Sequence, residues 1–228
     1  MTGKAFFVTG TDTGVGKTVV AARLMHALRG TGRQVLAMKP VAAGCDATPE
    51  GLRNEDVEVL RAAASFPIER QLMNPYAFEP AIAPHLAAAQ AGVEIDFALL
   101  KSRLDSMRQR ADIVVVEGAG GWYAPLSATT TMADLGQMLG LPVVLVVGLR
   151  LGCLNHALLT AEAIVRSRLP FRGWIANVID PYMTQREGNL ATLTARLPCP
   201  LLGVVPYVCD TAATAPAEVH FELAPLLQ

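Results

Sequence analysis

Residues 8–18 read VTGTDTGVGKT, a stretch that nearly spells a phosphate-binding loop and decides how the rest of the chain is read. The usual spelling is glycine, four residues, then Gly-Lys-Ser/Thr. Counting back from Gly16-Lys17-Thr18 puts Thr11 where that glycine belongs, and Gly10 falls one residue early. The physical demand is looser than the spelling: a tight turn whose backbone N–H groups converge on an anion at a helix N-terminus. Gly10, Gly14 and Gly16 supply backbone freedom for such a turn. Before it, Ala5-Phe6-Phe7-Val8 reads as a short buried strand; after it, Val19 to Leu28 carries apolar residues at helical spacing. The segment is therefore expected to join strand to helix, with Lys17 reaching outer phosphates and the Thr18 hydroxyl free to ligate Mg²⁺. The plainer alternative is a Gly/Thr-rich turn with a lone surface lysine.

Composition narrows the class. Of the 228 residues, 52% are hydrophobic and 17% charged, enough apolar material for a core covered on both faces, and no Pro/Ser-rich linker divides the chain, so one domain over 1–228 is expected. The formal net charge is −1 and no Lys/Arg run occurs, which argues against nucleic acid or an anionic membrane as partner and for small, neutral ones. Met1-Thr2-Gly3-Lys4 enters the first strand without a signal-peptide pattern and no apolar run has the length of a membrane span, so a cytoplasmic location is expected. Cys45, Cys153, Cys199 and Cys209 form no Cys-x-x-Cys pair and read as reduced structural thiols.

Beyond the loop, apolar runs of strand length recur: 34–38, 112–116, 142–147, 174–176 and 201–205. They are continuous rather than alternating, as in strands buried on both faces. Helix candidates fall at about 17–29, 55–65, 95–110, 132–139, 154–168 and 185–196. This alternation predicts an α/β fold, a mostly parallel sheet with helices on both faces.

Such sheets bind ligands at the carboxyl ends of their strands. The first strand ends in the phosphate loop, the second in Lys39-Pro40, the third in Glu117-Gly118-Ala119-Gly120-Gly121, the fourth in Gly148 and the fifth in Asn177. Each polar end has a bland account of its own, but together with a phosphate loop they suggest one shared site. Mg²⁺ takes a few oxygen ligands and keeps several waters, so Thr18, Glu117 and a further carboxylate would hold it. Asp56 in GLRNED is the candidate; a helix-terminal charge beside a capping Asn54 explains it equally well. LGCLNHA, 151–157, opens a helix after the fourth strand and would present free N–H groups of Gly152 to Asn155 to an anion, unless Asn155 simply caps it. His156 has no Ser or Cys partner for a nucleophile–base pair and reads as a packed or solvated helix residue.

Taken together, GTDTGVGKT, MKPVAAG (38–44), TPEGLRNED (48–56), NPYAFEPAIAPH (74–85), VVVEGAGGWYAPL (114–126), VVGLRLGCLNHA (146–157), GWIANV (173–178) and LLGVVPY (201–207) resemble the dethiobiotin synthetase family, whose fold is that of the P-loop NTPases. The resemblance implies ATP- and Mg²⁺-dependent ring closure of 7,8-diaminononanoate with carbon dioxide, through a carbamate and a carbamic–phosphoric anhydride, in biotin biosynthesis. It implies catalytic roles for Lys17, Lys39 and Thr13. Asp12, Thr13, Gly14, Val15, Gly16, Lys17 and Thr18 would bind the nucleotide phosphates, and Asn177, Pro206 and Tyr207 the adenine. Thr18, Asp56 and Glu117 would hold Mg²⁺, while Thr13, Lys39 and the loop Gly152, Cys153, Leu154, Asn155 would bind substrate. That loop is expected to serve the opposite subunit of a homodimer. Departures from the family pattern are Ala43 where serine is common, Gly14 for a glutamate, Val178 for an aspartate and Asn189 for a tyrosine. Two other readings keep the fold. A dimeric ATP-driven partition switch would usually have a lysine where Asp12 stands, and an amidation domain normally comes with a glutamine-hydrolysing domain.

Overall fold

The computed structural model describes residues 2–207 and 219–227; Cys209 lies outside the described residues. The first half of the chain holds β1 (Lys4–Gly10), α1 (Lys17–Arg29), β2 (Val35–Met38), β3 (Val41–Ala43), β4 (Asp46–Thr48), β5 (Gly51–Arg53), α2 (Glu55–Ala63), α3 (Arg70–Met73), β6 (Tyr76–Phe78), α4 (Pro84–Gln90) and α5 (Phe97–Arg108). The second holds β7 (Ile113–Gly121), α6 (Met132–Leu139), β8 (Val143–Leu149), α7 (Cys153–Arg166), β9 (Phe171–Val178), α8 (Arg186–Arg196), β10 (Leu201–Val205) and α9 (Ala224–Leu227).

Six strands form the central sheet in the order β10-β9-β8-β1-β7-β2, every neighbouring pair parallel. All seven residues of β8, VVLVVGL, are buried, which is possible only with both faces covered. Helices do the covering. In α1, Val20, Ala21, Leu24, Met25 and Leu28 are buried at the spacing of one helical face, and His26 and Arg29 sit in the last turn where the helix dipole favours positive charge. Start of α6 is fixed by a capping box: Thr131 N donates to Asp134 Oδ2 at 2.7 Å and Asp134 N to Thr131 Oγ1 at 3.4 Å. Phe7 of β1 packs edge-on against Trp122, centroids 6.0 Å apart, pinning the segment after β7 to the core.

The expected helices all form, with ends shifted by a few residues: α2 stops at Ala63, and α7 begins at Cys153 and ends at Arg166. Strands run further than their apolar cores. Ladder pairing depends on backbone, so β7 continues through Glu117, opposite Val8, and β9 through Asn177. These two polar residues therefore lie inside strands rather than after them. The small pairs β3–β6 and β4–β5 and the helices α3 and α4 were not foreseen, because three- to seven-residue elements carry no readable period. Among the described residues no helix is long and apolar enough to cross a membrane.

Candidate functional site

The carboxyl end of the sheet carries a cavity of about 680 Å³, within the range of small-molecule sites. Its floor is the phosphate loop and the first turn of α1, through Thr13, Gly14, Gly16, Lys17 and Thr18; Lys39 after β2 and Asp56 in the first turn of α2 form one wall. Ala43, residues 81–84, residues 119–121 and Ala124-Pro125 complete it.

The loop's glycines serve different needs. Gly14 and Gly16 have φ of 79° and 77°, the left-handed region that disfavours a side chain. Gly10 is ordinary strand, but a Cβ there would sit 2.7 Å from Val15 Cγ2. Val15 is fully buried and acts through its carbonyl, which accepts from Asn177 Nδ2 at 2.8 Å. Asn177 thus braces the loop from behind. Because Val205 pairs with Asn177, Pro206 and Tyr207 emerge beside it, both exposed. At Gly14 there is open space, so a glutamate at this position would meet only the backbone cost.

At the centre of the wall is Lys39, 5% exposed. Its Nζ donates to Glu117 Oε1 at 2.7 Å and pairs with Asp56 Oδ2. Thr18 Oγ1 donates to the same Glu117 Oε1 at 2.8 Å. Burial opposes the charge on Lys39, but Glu117 and Asp56 together outweigh it and raise its pKa above the usual lysine value. For Asp56 burial pushes upward, yet the Lys39 charge and hydrogen bond prevail and hold it below the usual carboxylate value. Lys17, 8% exposed, donates to the Asp12 carbonyl at 3.1 Å. Burial lowers its pKa, with Glu117 pulling it up and Lys39 pushing it down. Two buried ammonium groups thus line one cavity, Lys39 balanced by two carboxylates and Lys17 held by a carbonyl.

Fit to a divalent cation is tested by Glu117. The carboxylate is wholly buried, and Oε2 has no hydrogen-bond partner among the described residues. A spare acceptor beside the Thr18 hydroxyl and the Asp56 carboxylate is a hard-oxygen donor set suited to Mg²⁺. Among the described residues no group of three or more His, Cys, Asp or Glu gathers at one point; Mg²⁺, which keeps several waters, does not need one.

Sequence reasoning left Asp56 open between metal ligand and helix-end charge. It lies in the first turn of α2 and also reaches Lys39. Asn54 sits at the N-cap, but its side chain makes no cap bond and donates instead to the carbonyls of Ala43 and Gly44, both at 3.3 Å. Gly152, not Asn155, is the N-cap of α7. The segment Gly152 to Asn155 does not line this cavity. Asn189 donates through Nδ2 to the carbonyl of Gln185, the N-cap of its helix, at 2.9 Å. The wall residues Ala81 to Pro84 and Ala124-Pro125 were given no role in advance, although both segments carried the family resemblance.

A family model for the AAA domain matches residues 4–215. The ATP-dependent dethiobiotin synthetase BioD of Pseudomonas paraeruginosa is 54% identical over 223 residues, 97% of each chain. This chain belongs to the dethiobiotin synthetase family. Similar agreement extends to the synthetase of the same name from Cellvibrio japonicus, 51% identical over 227 residues and covering 100% of this chain and 99% of that one. The family is one of ATP-dependent ligases that form a carbon–nitrogen bond. Among solved structures, chloroplast FtsY from Physcomitrella patens aligns with a TM-score of 0.54 at 17% identity, covering 97% of this chain and 62% of that one. MinD from Aquifex aeolicus aligns with 0.54 at 15%, covering 89% and 81%. Those likenesses concern the fold alone, and they bear out the parallel P-loop NTPase architecture.

Proposed function

We propose that this chain acts as an ATP-dependent dethiobiotin synthetase, all 228 residues serving one synthetase domain, and that it works in the cytoplasm. The observation that carries the reading is one cavity lined by Lys17, Thr18, Lys39 and Asp56, with the buried Glu117 bonded to Lys39 and Thr18 behind it, in a chain so close to synthetases of that name. One amine of 7,8-diaminononanoate attacks carbon dioxide and loses a proton, giving a carbamate. A carbamate oxygen attacks the γ-phosphorus of ATP and ADP leaves. The second amine then attacks the carbamoyl carbon, phosphate departs, and the cyclic urea of dethiobiotin closes.

The physical obstacle is repulsion between a carbamate and a triphosphate. Lys17 and the backbone N–H groups of the phosphate loop hold the phosphates, and Lys39 supplies positive charge between γ-phosphate and carbamate. Thr13 positions the substrate amines beside them. Thr18, Asp56 and Glu117 would hold Mg²⁺, which when bound neutralises phosphate charge. For Lys39 to serve the carbamate it must turn from the two carboxylates that now hold it. Asn177, with Pro206 and Tyr207, faces the adenine. Gly152, Cys153, Leu154 and Asn155 bind the substrate carboxylate at the cavity of the opposite subunit in a homodimer; their position outside the cavity of their own chain supports this.

The test is ADP release with Mg-ATP and bicarbonate, with and without 7,8-diaminononanoate, followed by mass analysis. Diamine-dependent release with a product of the cyclic urea's mass is expected. Diamine-independent hydrolysis without product would instead favour an ATP-driven switch.

A further inference from the structure

Arg150 joins two functional segments. It is the first residue after β8, and its carbonyl accepts from Cys153 N at 3.0 Å, which ties it to the first turn of α7. Its guanidinium reaches the other way, into the phosphate loop, where Nη2 pairs with Asp12 Oδ2. The other carboxylate oxygen, Asp12 Oδ1, accepts from Thr11 Oγ1 at 2.7 Å. The Asp12 carbonyl accepts from Lys17 Nζ at 3.1 Å. Asp12 is thus held at three oxygens by three different side chains.

This arrangement meets an electrostatic difficulty. A loop that must attract a polyanion carries a carboxylate of its own, on the residue whose backbone holds Lys17. Asp12 is only 28% exposed, so water screens its charge incompletely, and a phosphate group in the loop would lie well within the ~8 Å over which salt leaves such repulsion effective. An arginine paired to it cancels the charge and also fixes the direction of the side chain.

We infer that Arg150 is a positioning residue of the phosphate loop: it neutralises and anchors Asp12, so that a nucleoside triphosphate meets Lys17 without an opposing carboxylate. The inference rests on the nucleotide reading of the cavity given above. Arg150 acts through Asp12 and not by touching phosphate, and this separates it from an ordinary phosphate-binding arginine.

The experiment measures ATP affinity by calorimetry, and ATP KM and kcat from ADP release, at low and high salt, for Arg150→Ala, Arg150→Lys, Asp12→Asn and the double variant Arg150→Ala/Asp12→Asn. Arg150→Ala should weaken ATP by about two- to fivefold, the range open to a partly exposed ion pair, through KM with kcat little changed and most strongly at low salt. Arg150→Lys should restore part of the loss. Asp12→Asn in the Arg150→Ala background should restore ATP affinity, an outcome that neither a phosphate-touching arginine nor a general folding defect produces. Persistence of the full defect in the double variant overturns the inference, as does unchanged affinity in Arg150→Ala. If Arg150→Ala fails to fold, Asp12→Asn alone decides: tighter ATP binding supports the inference, and equal or weaker binding overturns it. An unaltered chain that does not bind ATP removes the nucleotide reading as well; an unaltered chain that binds it while Arg150→Ala binds equally well removes only the role of Arg150.

Discussion

Helices α1 and α7 each follow a buried parallel strand, each begin on a left-handed glycine, Gly16 with φ 77° and Gly152 with φ 93°, and neither has a side-chain cap. Both therefore point unsatisfied N–H groups outward. Their surroundings differ. At α1 the chain itself supplies the rest: Lys17 and Lys39 are buried nearby, and Asn177 packs so closely that a Cβ on Gly16 would collide with its Nδ2. At α7, Gly152 has nothing within 4 Å of where a Cβ would lie, and Leu151 before it is 93% exposed. A helix N-terminus is a generic device for attracting anions; what makes one a defined site is the chemistry gathered around it. The start of α1 is enclosed by its own chain, whereas α7 offers the same backbone to whatever arrives from outside.

The sharpest way to break this contrast is Lys17→Ala. ATP-dependent turnover should fall by about 10²-fold or more, the scale of a lost transition-state contact, and near-normal ADP release would detach α1 from the reaction. A pH titration of the unaltered chain probes the same group. Burial holds the Lys17 ammonium below its usual value, so ATP affinity should decline as pH rises through that lowered pKa; Lys17→Arg, which stays protonated, should bind ATP without the decline. If both chains lose affinity together, Lys17 is not the titrating group. Gly16→Ala combines left-handed strain with the collision at Asn177 and should cost roughly 2–4 kcal/mol in urea unfolding. Asn155→Ala should weaken apparent diaminononanoate affinity by about tenfold with ATP binding intact, and mixing these chains with Lys17→Ala chains should recover activity through hybrid dimers. A mixture without recovery would return α7 to its own subunit. The smallest effect is expected for Gly152→Ala: open space leaves only backbone strain, about 1–2 kcal/mol. A cost equal to that of Gly16→Ala would mean that α7 is as tightly enclosed as α1.

The parts of the molecule legible in sequence were those whose physics is local or periodic. The run PVVLVV reads as a strand buried on both faces, and β8 contains all but its proline. The departure of the phosphate loop from the common spelling did not hide it, since strand, glycines, Lys-Thr and helix all agreed. Apart from α2, the segment 41–90 was opaque, because β3, the β4–β5 pair, α3, β6 and α4 owe their form to tertiary packing. Residue types at strand ends singled out Lys39, Glu117 and Asn177, and the structure brings Lys39 against Glu117 and Asn177 against the phosphate loop. They could not tell that Lys39 bridges Glu117 and Asp56, or that Asn177 braces Val15; such pairings depend on distances between segments far apart in the chain. Arg150 was overlooked for the same reason: it stands in a quoted motif, and its partner Asp12 lies 138 positions away.

The sheet order β10-β9-β8-β1-β7-β2 also sets a timetable for the nascent chain. Of the six sheet strands β1 is translated before the others but lies between β7 and β8, so its backbone groups wait for partners beginning at Ile113 and Val143. The phosphate loop is translated within the first eighteen residues of the sequence, yet Thr18 meets Glu117 only after a further 99 positions have been added. Long-range pairings of this kind slow folding, because loop closure precedes any compensating contact. A chain interrupted before Ile113 therefore leaves the apolar run Ala5-Phe6-Phe7-Val8 without either of its sheet neighbours.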